Sequence, residues 1–230
     1  MIELYYWPTP NGQKIALFVE EAGVEYELKT VDITKGEQFA PDYLAISPNN
    51  RMPAIVDRDP SDGGKPISVF ESGAILLYLA DKTGQFIPKD LRGRIVATEW
   101  LFWQVGGLGP MIGQSHHFEE YAPTKIEYAI ERYARENQRL LGVLERHLTD
   151  RDFICGEDYT IADMASYPWV ASYASKNSID AFSAVKRWHE AIKARPATER
   201  VYARGEEISP SGRPLSDEAR RHLFGHGKAA

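Results

Sequence analysis

Cysteine is almost absent from this 230-residue chain. Cys155 stands alone, so counting excludes an intramolecular disulfide, a Cys-x-x-Cys redox pair and a cysteine-rich zinc site. Any thiol chemistry must take its sulfur from another molecule. Long apolar runs are missing too: no stretch of about 18 apolar residues offers a membrane helix, and the N-terminus enters a strand pattern without the basic region and apolar segment of a signal peptide. A cytoplasmic protein with no membrane partner is expected. Basic blocks are lacking, and a formal charge of -6 with a pI near 5.6 argues against nucleic acid as a partner. Arg220-Arg221 is too short to count as a phosphate-binding patch. The absence of Gly-x-Gly-x-x-Gly, a Walker loop and Gly-x-Ser-x-Gly removes the common nucleotide and serine-hydrolase readings. His116-His117 has no carboxylate or cysteine at metal-ligand spacing, so no metal is expected.

What remains is an ordinary globular composition, 43% hydrophobic, long enough for one large domain or two small ones. Ile2, Leu4 and Tyr6 alternate with Glu3 and Tyr5 as in a strand, and Ile15, Phe18, Val19 and Ala22 then recur at helical spacing up to Gly23. A second extended run holds Tyr26, Leu28 and Val31, which predicts a parallel strand pair joined by a helix. Pro41, Pro48 and Asn49-Asn50-Arg51 mark a loop. Met52-Pro53-Ala54-Ile55-Val56-Asp57 and Ile67-Ser68-Val69-Phe70, separated by Asp62-Gly63-Gly64-Lys65, predict an antiparallel hairpin. Ser72 is expected to cap a helix that stops near Gly84. Beyond Pro88 the pattern turns helical: a capping box is expected at Thr124 for the helix carrying Leu140, Leu141 and Leu144, and another at Thr160-Ile161-Ala162-Asp163. From about Glu206 the chain becomes polar and glycine-rich, the composition of a mobile tail.

Several positions carry both a bland and a chemical reading. Tyr6-Trp7-Pro8-Thr9-Pro10-Asn11-Gly12 spans a strand-to-helix junction, where free N–H groups and the positive dipole end favour an anion; turn formation alone also explains these residues. A cis bond at Met52-Pro53 would present the preceding N–H and C=O to a peptide-like ligand, while the plain reading is a strand start. Glu71 and Ser72 suit a helix start, yet together they also match the ammonium and carboxylate of an α-amino acid. Trp100, Phe102 and Trp103 read as core, interface or an apolar co-substrate wall, and Cys155 as a small buried hydrophobe.

Taken jointly, the N-terminal β-α-β-β-β-α half, Met52-Pro53, Phe70-Glu71-Ser72-Gly73-Ala74-Ile75-Leu76-Leu77-Tyr78-Leu79 and the later Gly156-x-x-x-Thr160-Ile161-Ala162-Asp163 resemble the cytosolic glutathione transferases, over roughly residues 1–205. Thr9-Pro10-Asn11-Gly12-Gln13-Lys14 with Glu20-Glu21-Ala22-Gly23 is similar to the bacterial Nu-class branch, related to the yeast nitrogen-regulator prion protein and associated with glutathione-dependent disulfide reduction. The resemblance implies an α/β plus all-α architecture: a thioredoxin-like glutathione-binding domain over 1–86, an all-helical co-substrate domain over 92–205 and a polar tail over 206–230. It also implies that Thr9 and Asn11 hold the glutathione sulfur as the catalytic pair, that Gln38, Met52 and Pro53 take the peptide backbone, that Glu71 and Ser72 take the γ-glutamyl end, and that Arg132 reaches a glutathione carboxylate. A homodimer acting on glutathione or oxidised glutathione and a small disulfide or electrophile follows from the same likeness. Ether cleavage of aromatic substrates and a non-catalytic scaffold for a protein partner are the rival expectations.

The chemistry is consistent with that assignment. A thiol of pKa about 8.5 is mostly protonated at neutral pH, and lowering it by about 2 units takes roughly 2.7 kcal/mol of preferential thiolate stabilisation. A Thr9 hydroxyl, an amide donor near Asn11 and the helix terminus are candidates to supply it. Tyr5 and Tyr6 keep a tyrosine-type activation open, but Thr9 and Asn11 lie beyond the strand, whereas one of the two tyrosines must point into the core.

Overall fold

The alternating N-terminal run forms strand β1 (Ile2–Tyr6) in the computed structural model of the chain, which describes residues 1–212 and 214–225. Helix α1 (Pro10–Ala22) follows at once, because Thr9 is an extended N-cap and Pro10, whose missing N–H costs nothing there, opens the first turn. Gly23 ends it at φ 64, a left-handed conformation that glycine adopts without a Cβ penalty. The chain returns as β2 (Tyr26–Thr30), parallel to β1 with Tyr6 opposite Thr30. Strands β3 (Ala54–Asp57) and β4 (Ile67–Phe70) are the expected antiparallel hairpin, and β3 runs antiparallel to β1 with Tyr5 opposite Ala54. The four-stranded order is β2-β1-β3-β4.

Helix α3 (Ser72–Thr83) supplies Ile75, Leu76 and Leu79 to the core, with Ile2, Leu4, Ile15, Phe18 and Ile55 also fully buried. Each such side chain contributes roughly 1.5–3 kcal/mol of transfer free energy. Between Val31 and Met52, where Pro41, Pro48 and Asn49-Asn50-Arg51 mark an expected loop, the chain forms a 3-10 turn (Glu37–Phe39) and a short helix α2 (Pro41–Leu44). It builds a second small core from Val31, Tyr43, Met52 and Ala54. Tyr43 Oη and Ser47 Oγ both donate to the Arg51 carbonyl, at 2.7 and 3.1 Å, which ties this segment down just ahead of β3.

Two capping expectations need correcting. Ser72 is the first residue of α3 rather than its cap: the Glu71 carbonyl accepts the first helical bond from Ile75, and Glu71 sits at φ 70. At the long helix α6 (Glu127–Leu148), Ile126 occupies the N-cap with no side-chain hydrogen bond, so the capping box expected at Thr124 does not form. Glu127 alone meets the dipole there.

Chain contacts divide the molecule into two compact units, Met1–Lys82 with the segment from Arg200 onward, and Thr83–Glu199. The second is helical: α4 (Leu91–Trp103), a π-helical turn (Gln104–Leu108), α5 (Gly109–His116), a second π-helical turn (His117–Tyr121), then α6, α7 (Ile161–Ala174) and α8 (Ser183–Lys193). The Thr160–Asp163 capping box is present at the head of α7. Asp163, fully buried, accepts from Ile154 N and Trp188 Nε1 at 2.8 Å each and from Thr160 N at 2.9 Å. Helix α9 (Pro196–Ile208) sends Arg200 and Arg204 to Glu20 of α1, at 2.9 and 3.1 Å, and Glu20 also accepts from Tyr26 Oη at 2.6 Å. Within the segment read as a polar tail, α10 (Asp217–Phe224) is capped by Ser216 and Gly225; residues 213 and 226–230 of that tail lie outside the described residues.

Candidate active site

Strand direction alone brings most of the expected site residues to one end of the sheet. β1 and the parallel β2 both finish there, leading to Thr9 and Asn11 in one case and to Gln38 in the other. The antiparallel β3 begins there, just after Met52 and Pro53, and β4 finishes there, just before Glu71 and Ser72. The N-termini of α1 and α3 therefore share this end; neither has an acidic residue within its first turn, and Glu71 stands at the cap of α3. Arg132 lies exposed on α6, in the helical unit.

Thr9 Oγ1 accepts from Gly12 N at 3.2 Å, which satisfies one donor of the first turn and leaves the hydroxyl hydrogen to donate outward. The backbone packs so closely here that a Cβ on Gly12 would sit 2.2 Å from the Trp7 carbonyl oxygen, so only glycine lets the helix start against the strand exit. Thr9 and Asn11 are half-buried. The Met52–Pro53 peptide is cis, which decides between the two readings left open for it above. Gln38 is buried, and its Oε1 has no hydrogen-bond partner among the described residues. Glu71 is exposed and accepts from Asn49 Nδ2 at 3.3 Å, while Ser72 Oγ, 8% exposed, accepts from Lys14 Nζ at 3.2 Å.

The tyrosine alternative fits poorly. Tyr6 is buried, and that burial pushes its hydroxyl well above the usual phenol range. Tyr5 packs its ring on Tyr43 and turns its hydroxyl to Glu3 at 3.4 Å; its pKa is raised chiefly by burial. The lone thiol is equally unsuited to attack. Burial pushes Cys155 up to about 11, although Thr160 Oγ1 donates to its sulfur at 3.3 Å. Trp100 meets Trp103 edge-on and lies tilted against His147, at centroid distances of 4.8 and 4.1 Å, while Phe102 on the same helix is 62% exposed. Among the described residues no group of three or more His, Cys, Asp or Glu is placed to hold a metal ion, and no helix is long and apolar enough to cross a membrane.

Two contacts at this end of the sheet are not expected from the sequence. The Asn49 amide, in the loop, donates to Glu71 from 22 residues away. Lys14, quoted above only as part of a motif, is buried. Its signal was available: a lysine followed by Ile15, Ala16, Leu17, Phe18 and Val19, one turn before Phe18, falls on the buried face of the helix.

Comparison with known proteins agrees with this geometry. Residues 1–81 match the glutathione S-transferase N-terminal domain and residues 108–196 the C-terminal domain. The disulfide-bond oxidoreductase YfcG of Escherichia coli strain K12 is 57% identical over 199 residues, 86% of this chain and 93% of that protein. A glutathione transferase family member from Pseudomonas fluorescens pf-5, solved with two glutathione bound, superposes with a TM-score of 0.83 at 43% identity, covering 87% of this chain and 91% of the other. A Pseudomonas putida glutathione transferase, solved with one glutathione disulfide bound per subunit, gives 0.83 at 39% identity, covering 87% and 90%. With both halves matched and the fold shared along most of its length, the chain belongs to the glutathione S-transferase family.

Proposed function

We propose that this protein is a glutathione-dependent enzyme that reduces small disulfides and, with the same thiolate, adds glutathione to electrophilic carbon. In this reading the domain over 1–86 holds glutathione and the helical domain over 92–205 takes the second substrate. The Thr9 hydroxyl and an amide donor at Asn11 hold the sulfur as thiolate beneath the α1 dipole. Gln38, Met52 and Pro53 take the peptide backbone, Glu71 and Ser72 the γ-glutamyl ammonium and carboxylate, and Arg132 a glutathione carboxylate. The observation that carries the reading is that the segments bearing Thr9, Asn11, Met52, Pro53, Glu71 and Ser72 meet at the end of the sheet where the N-termini of α1 and α3 emerge.

The nucleophile is borrowed, since Cys155 is held protonated. The bound thiolate attacks one sulfur of the substrate disulfide, so a mixed disulfide forms as the substrate bond breaks, and the departing thiolate takes a proton from solvent. A second glutathione thiolate then attacks the mixed disulfide, giving oxidised glutathione and the second substrate thiol. The disulfide-bond oxidoreductase names of the relatives, and the structures holding two glutathiones or one glutathione disulfide, favour this route over conjugation. A second copy of the chain is the partner we assign to α4, where exposed Leu91, Ile95 and Phe102 line a groove of about 470 Å³ with Arg94, Thr98 and Glu99. The cytoplasm, where thiols stay reduced, is the compartment such chemistry requires.

The test is reduction of 2-hydroxyethyl disulfide by glutathione. Thr9→Ala and Asn11→Ala are each expected to lower kcat/KM by about 5- to 10-fold, a third to a half of the roughly 2.7 kcal/mol that the two donors and the helix terminus supply together. Normal turnover in both variants rejects the sulfur assignment.

A further inference from the structure

Lys14 is 1% exposed, yet its long cationic side chain reaches across 58 residues of sequence to Ser72. Burying an ammonium costs several kcal/mol, and an apolar residue of the same volume would pack that space more stably. The hydrogen bond fixes a direction. While Lys14 is an ammonium it has no lone pair, so Ser72 Oγ accepts from Nζ at 3.2 Å and the serine's own hydrogen is free to be donated elsewhere. A carboxylate accepts such a donor and an ammonium does not. A carboxylate oxygen about 2.7 Å from Ser72 Oγ also lies within about 6 Å of the lysine charge, a distance at which opposite charges attract strongly away from water. Glu71, the neighbouring residue, offers the opposite sign and is steadied by Asn49.

We propose that Lys14 is a positioning residue of the γ-glutamyl subsite: it locks the Ser72 hydroxyl as a donor and supplies the buried countercharge that selects a ligand carboxylate. The proposal rests on the assignment of Glu71 and Ser72 made above. Burial draws the Lys14 pKa down to about 7 against the opposing pull of Glu71, so a carboxylate arriving at Ser72 restores the proton as it binds. Lys14 thus ties affinity to pH.

S-methylglutathione, which has no titrating thiol, is the probe, measured by calorimetry between pH 6.5 and 8.5 in buffers of different ionisation enthalpy. The wild-type protein is expected to lose roughly tenfold or more in affinity across that range and to take up close to one proton per site near pH 8. Lys14→Arg, charged throughout, should bind at pH 6.5 as wild type does and show no pH slope, whereas Lys14→Met should bind at least about tenfold more weakly and also lack the slope. Flat wild-type affinity with no proton uptake overturns the proposal while leaving glutathione recognition intact, and so does a Lys14→Met variant that keeps wild-type affinity and slope. Failure of the wild-type protein to bind the probe at any pH overturns the subsite itself. The wild-type and Lys14→Arg arms decide the matter even if the methionine variant does not fold.

Discussion

At the mouth of α1 one threonine hydroxyl has an accepting side that is used and a donating side turned to the proposed site. Thr9 Oγ1 caps the helix by accepting from Gly12 N, and in doing so keeps its hydrogen available for a sulfur anion. The bland reading of Thr9 as a local cap is what the structure shows, and that geometry is compatible with the proposed role. Lys14 behaves similarly at Ser72, and its burial leaves a measurable trace in stability. The folded-state pKa, about 7, lies below the usual 10.5, so between those values the unfolded chain holds a proton that the folded chain has released. Stability contributed by this group is then complete above the unfolded pKa and lost as pH falls through 7. Urea unfolding of the ligand-free protein should accordingly show stability rising between pH 7 and 9, at most by about 1.4 kcal/mol per pH unit, and Lys14→Met should flatten that rise while stabilising the protein at pH 7. Identical pH profiles for the two proteins would show that the buried ammonium carries no such penalty.

Among elements, α7 has the most connected start. Asp163 closes the capping box and, from the same carboxylate, accepts from Ile154 N and Trp188 Nε1, so the helix head, the segment before it and α8 share one acceptor. Asp163→Ala strands several buried donors and is expected to cost about 3–5 kcal/mol, read as a lower urea midpoint; Asp163→Asn, which keeps one acceptor oxygen, should fall between. A loss below 1 kcal/mol for the alanine variant would contradict this account of the cap. The same motif was legible beforehand because a capping box is a local pattern of residue types three apart. The companion pattern at Thr124 was misleading for a related reason: propensity proposes a cap, but the chain enters α6 through extended Ile126, and nothing local in the sequence distinguishes the two cases. The Val31–Met52 stretch was opaque in another way. Its small core of Val31, Tyr43, Met52 and Ala54 joins residues too widely spaced for any period to reveal.

For the whole molecule, the outstanding physical feature is the apolar surface on α4, with Leu91 73%, Ile95 48% and Phe102 62% exposed. Covering it with a second copy predicts a dimer in sedimentation velocity at micromolar concentration, and Phe102→Glu, which sets a charge in that interface, should shift the protein to monomer by costing about 2–4 kcal/mol. A monomeric wild-type protein would leave the groove to another partner. The sequence by itself determined most element types and the change from a mixed sheet to helices, because period and caps are local properties, and its motifs carried the family resemblance. Its single cysteine excluded an internal redox pair, while the burial that disfavours attack by Cys155 belongs to the tertiary structure. Tertiary structure alone decided which ends meet. Strand direction carries Thr9, Gln38, Pro53 and Ser72 to one end of the sheet, and helix packing hides the lysine that aims Ser72. Those are consequences of pairing and burial between residues far apart in the chain, and no local pattern encodes them.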